Sequence, residues 1–142
     1  MTLTPHFQLE EFTRSSKAAS LGIVNEPTIE QISNLQNLCQ EVLEPLRLHY
    51  GKSIIISSGF RSKELNQAVD GVPTSQHLTG EAADLYLPSV SIGKEWYAWI
   101  RDHCTYDQLI WERNSRGYCW IHVSCVRPPK RNRKMDFIKT VK

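Results

Sequence analysis

The chain has 142 residues, 40% of them hydrophobic and 23% charged, with 17 Lys and Arg against 15 Asp and Glu. That length carries one ordinary domain with a core of its own and leaves little room for a second. No apolar run reaches the ~20 residues of a membrane span, and the opening MTLTPHFQLEEF lacks the charged and apolar regions of a secretory signal, so the chain is expected to be made in the cytoplasm.

After an irregular opening, EPTIEQ marks a helix start, with Thr28 as N-cap and Gln31 three residues later completing a capping box. Ile32, Leu35, Cys39, Val42, Leu43 and Leu46 recur at helical spacing, which predicts one helix over 29–48 with a buried face. Pro45 is expected to kink its end and Gly51 to stop it. SIIIS, 53–57, reads as a buried strand, SGFRS as a loop, and 62–69 as a short helix. Residues 70–81 are rich in turn formers, and AADLYL reads as a second strand. Ser91 is expected to cap another long helix carrying Ile92, Trp96 and Ile100. YDQLIWE and YCWIHVSC then form a hairpin around RNSRG. The order predicts an α+β fold, a small sheet covered by helices on one side.

The stretch SQHLTGEAADLYL, 75–87, places His77 and Asp84 seven residues apart with Gly80 and two alanines between them. Read alone, they could be a loop histidine and a strand-end charge, or two arms of a metal site. A third arm is available. Alternation along CWIHVSC puts Cys119, Ile121, Val123 and Cys125 on one face, and Trp120, His122 and Ser124 on the other. An open zinc site takes three protein ligands of mixed nitrogen and oxygen character and leaves a position for water. The four cysteines, Cys39, Cys104, Cys119 and Cys125, match no zinc-finger spacing and are expected to be free thiols.

The segment SGFRSKELNQAVDGVPTSQHLTGEAADL resembles the zinc D-Ala-D-Ala carboxypeptidase family, which includes phage endolysins and vancomycin-resistance D,D-dipeptidases. The pattern S-G-[FY]-R-S, then S-x-H-x-x-G-x-A-x-D, then a late strand histidine is met by SGFRS at 58–62, SQHLTGEAAD at 75–84 and WIHVS at 120–124. The resemblance runs from about Leu9 to Val126. It implies the hedgehog/DD-peptidase fold, with zinc held by His77, Asp84 and His122. It further implies that Arg61 holds a substrate carboxylate, and Ser75 is a candidate substrate contact or a cap for its loop. The function implied is a metallopeptidase, either a D,D-carboxypeptidase or an endolysin-type L-Ala-D-Glu endopeptidase, cutting a peptidoglycan bond beside a D-amino acid. The alternative is a zinc-containing cell-wall or protein-binding module of the same fold without catalysis. Action on the cell wall, as by a prophage-encoded lysis protein, is the matching expectation for place.

The chain departs from the family at the general base. Cys119 stands three residues before the late histidine, where many members carry Glu or Asp, and Trp120 stands where some carry a further His. Two carboxylates precede it on the neighbouring strand. A two-residue loop around Ser115 and Arg116 would put Asp107 on the His122 face, and an odd-length loop would put Glu112 there. The similar hedgehog signalling domain, with a glutamate ending the corresponding strand, points to Glu112. From Arg127 on, seven Lys and Arg meet one acid, so residues 1–126 form the expected peptidase domain and 127–142 a basic tail. The tail could bind an anionic polymer by charge. It carries no recognisable nucleic-acid module, so no specific nucleic-acid partner is expected, and a solvated or frayed end is favoured.

Overall fold

The computed structural model describes residues 1–141. The opening, expected to be irregular, pairs as β1 (Thr2–Thr4) and β2 (Phe7–Gln8) and continues into two short helices, α1 (Glu10–Thr13) and α2 (Ser16–Leu21). Phe7 and Phe12 from this segment enter the core. These elements are too brief to leave a periodic signature.

The helix α3 (Ile29–Leu38) starts as read: Thr28 Oγ accepts from Gln31 N, and Gln31 Oε1 accepts from Thr28 N. The single helix expected over 29–48 is instead interrupted by a π turn at Cys39–Leu43 before α4 (Glu44–Tyr50). Pro45 explains the interruption. It has no N–H for the preceding turn and its ring crowds the carbonyl four residues back, and a widened turn relieves that crowding. Gly51, at φ +79°, ends α4.

The next strand, β3 (Ile56–Ser58), starts three residues later than the apolar run, because its partner strand reaches only Ile56 and Ser58. Ser62 caps α5 (Lys63–Ala68), and a 3₁₀ turn at Gln76–Thr79 leads into β4 (Ala82–Tyr86). In the helix α6 (Val90–His103), the cap is Ser89 and not Ser91. Ser89 has the extended backbone a cap needs, and its hydroxyl accepts from Ile92 N. The strands β5 (Gln108–Arg113) and β6 (Cys119–Ser124) form the expected hairpin.

The segment read as a solvated or frayed tail supplies a further strand, β7 (Met135–Thr140), which runs parallel to β5. Its anchor is ionic. The Arg133 guanidinium lies 2.7 Å from the buried Asp107 carboxylate, which also accepts from Arg133 N at 2.9 Å. The five-stranded sheet therefore has the order β3-β4-β6-β5-β7. Ala83, Leu85, Leu109, Ile121 and Val123 pack one face against Leu35, Leu38, Leu43, Leu46, Trp96 and Ile100 of the helices. The other face carries Asp84, His122, Ile110 and Glu112 toward a cleft. No described helix is long and apolar enough to cross a membrane.

Candidate active site

The cleft, about 720 Å³, opens over the polar face of the sheet. β4 and β6 are antiparallel, with Asp84 directly opposite His122, so their side chains emerge side by side. His77 comes to them from the 3₁₀ turn, whose shape needs Gly80. That residue has φ +77°, and a Cβ there would stand 2.5 Å from Gln31 O. Ser75 Oγ accepts from His77 N and so starts the turn.

The SGFRS loop fixes the His77 ring. His77 Nδ1 lies 2.6 Å from Gly59 O, and a carbonyl can only accept, so Nδ1 carries the proton and Nε2 presents its lone pair. Gly59 can approach because it has no side chain; a Cβ would stand 2.6 Å from the Phe12 backbone. The same loop donates Arg61 N to His77 O at 3.0 Å. His77 Nε2, at 3.3 Å, and His122 Nδ1, at 3.0 Å, both come up to Asp84 Oδ1, so that donor atoms of all three side chains converge.

The electrostatics favour the forms a metal needs. Burial lowers the His77 pKa and keeps the ring neutral. Burial works against the Asp84 carboxylate, but the neighbouring His77 and His122 overcome it and hold that pKa far below the usual range. Two imidazole nitrogens and one carboxylate, with one donor atom of each within 4.8 Å of the others, thus form a buried set able to hold a metal ion.

Glu112 stands beside this set, its Oε1 3.8 Å from His122 Nδ1. The hairpin loop, 114–118, has five residues, the odd length that turns Glu112 to the His122 face. Asn114 shapes it by accepting from Arg116 N and Tyr118 N. Asp107 is engaged elsewhere, with Arg133 and with Gln76 Nε2 at 2.9 Å. Arg61 lines the cleft, with its guanidinium 3.7 Å from Asp84 Oδ2 and held by Asn66 Oδ1 and Ser58 Oγ. The cysteines are free. Cys39, Cys104 and Cys125 are buried and Cys119 is half-buried, so the last sits at the margin of the core face expected for it.

A family model described as Peptidase M15 matches residues 5–124. The chain belongs to the peptidase M15 family. The comparison with curated proteins gives no match. Membership makes the chain one of a family of metal-dependent peptidases, in keeping with the His-Asp-His set. Two features of this cleft escaped the motif reading. Asn66, buried, accepts from Arg61 and donates Nδ2 to Val72 O at 3.0 Å, tying the guanidinium to the cleft rim. The strand β7 brings Phe137 and Lys139 to the cleft, although it lies outside the matched residues. The S-x-H spacing gave no sign of either, since both depend on contacts beyond the motifs.

Proposed function

We propose that this M15 chain is a zinc peptidase that hydrolyses a bond beside a D-amino acid in peptidoglycan stem peptides, as a D,D-carboxypeptidase or an endolysin-type endopeptidase. One observation carries the reading: a three-donor set of open-zinc character with a second carboxylate, Glu112, at its edge. His77 Nε2, Asp84 and His122 Nδ1 would hold the ion. Zinc, when bound, supplies Lewis acidity toward water and a scissile carbonyl.

The residues of the chain do the rest. Glu112, whose pKa is raised by burial and by the Asp84 charge, is suited to take a proton from water and return it to the leaving amine. Arg61, braced by Asn66 and Ser58, offers its fork to a substrate carboxylate. Ser75 lines the cleft with its lone pair turned to His77 N, leaving its O–H for a substrate carbonyl. The cell wall is then the place of action.

The test is mass spectrometry of purified muropeptides after digestion, beside elemental analysis. The expected results are a defined set of cleaved peptides and one zinc per chain, lost in His77→Ala and His122→Ala. Zinc retained in full by both variants would remove the metal site. Zinc binding without any muropeptide cleavage would favour a binding module of the same fold.

A further inference from the structure

The cleft has a wall that neither the metal set nor the matched residues account for. β7 pairs with β5 so that Glu112 faces Lys139 and Ile110 faces Phe137. The antiparallel hairpin extends both rows, Trp120–Glu112–Lys139 and His122–Ile110–Phe137, across three strands. Phe137, Lys139 and Val141 all line the cleft, on the side away from Arg61. The sequence order of the sheet makes this opposition firm: Arg61 stands against β4, while Lys139 lies two strands beyond β6.

The cations of the cleft are not equivalent. Arg133 is committed to Asp107, and Arg61 faces Asp84. Lys139 makes no ion pair among the described residues, even though Glu112 is its cross-strand neighbour. The wall is also held in place. Asp107 accepts from Arg133 on one side and from Gln76, next to His77, on the other, so one buried carboxylate joins the strand to the turn that carries His77.

We propose that β7 is a selectivity wall on which Lys139 takes a second carboxylate of an acidic peptide substrate, with Phe137 packing against the chain beside it. The inference rests on the peptidase reading above for the direction of the substrate. Two strand spacings put Lys139 about 10 Å from β6, and an extended peptide advances about 3.3 Å per residue. The carboxylate recognised by Lys139 therefore lies about three residues from the bond over the His-Asp-His set, on the side opposite the group held by Arg61.

Two synthetic peptides ending in D-Ala-D-Ala test this, alike except for glutamate or glutamine three residues before the terminal bond. Their dissociation constants are measured by calorimetry with zinc-loaded Glu112→Gln, which keeps turnover out of the binding readout. The glutamate peptide is expected to bind roughly five- to tenfold more tightly, as suits one partly exposed charge-assisted contact. Adding Lys139→Met should bring the two within twofold, and Lys139→Arg should keep the preference. Equal or absent binding of the two peptides, or a preference that survives Lys139→Met, overturns the wall. Cleavage by the unmutated protein is followed separately: a glutamate preference without cleavage supports the wall and counts against the peptidase reading.

Discussion

Glu112 is placed where ionisation is costly, partly buried and beside Asp84, and such a cost suits a carboxylate to the base role proposed for it near neutral pH. Glu112→Gln removes the proposed proton acceptor while keeping size and polarity. It should retain zinc and lose about 10²–10⁴ in kcat; a comparable loss in Asp107→Asn with none in Glu112→Gln would reverse the assignment. The role proposed for Arg61 is in binding. A charge-assisted pair is worth roughly 1.5–3 kcal/mol, so Arg61→Ala should lower kcat/KM about ten- to a hundredfold with zinc content unchanged. Unaltered kinetics on a carboxylate-bearing peptide would leave Arg61 as a structural ligand of Asn66. Gly71 supports the same arrangement from behind, since a Cβ there would collide with Asn66 Oδ1.

At the scale of elements, Asp107 links β5, the 3₁₀ turn and β7. Burial opposes its ionised form, but the hydrogen bonds from Arg133 prevail and lower its pKa below the usual carboxylate range. A lowered folded-state pKa stabilises the fold above the unfolded value of about 4, and the contribution is lost as pH falls through the folded value. Asp107→Asn should therefore cost about 1–3 kcal/mol at pH 7 in denaturant unfolding, with the gap to the parent narrowing only below about pH 4. A gap that is constant down to pH 3 would mean that the charge contributes nothing. This clamp also shows what the sequence could not reveal. Thr28 with Gln31, and the alternation around His122, are local signals, and both elements formed where those signals stand. The strand β7 has no buried side and no alternation, and it is held by an arginine 26 residues away from its aspartate, so its basic composition reads as a loose end. Hairpin parity stayed open for a related reason: the Asn114 side chain chooses the five-residue loop, and no turn dipeptide advertises it.

Across the whole molecule, the metal set joins parts of the chain that lie far apart: His77 in a turn, Asp84 on β4 and His122 on β6. The unfolded chain does not hold these three donors together, so an ion that binds the set stabilises the fold by mass action. At free zinc a thousandfold above Kd the gain is about 4 kcal/mol, or about 10 °C in Tm for a domain of this size. Protons compete for the same nitrogens. Because burial lowers the His77 pKa, the folded ring stays neutral at pH values where the unfolded ring, titrating near 6.5, has begun to take up a proton. The unfolded chain thus binds more protons as pH falls, and stability declines below about 6.5 with or without the ion. The zinc-dependent rise in Tm should be steady above about pH 7, shrink as pH falls below about 6, and disappear on chelation. His122→Ala should abolish the rise and still unfold cooperatively, because the core on the helical face of the sheet does not include that ring. Calorimetric scans with zinc and with a chelator, at pH 8 and pH 5, decide the matter: an equal rise at both pH values, or one that survives His122→Ala, would place the bound zinc outside the His-Asp-His set.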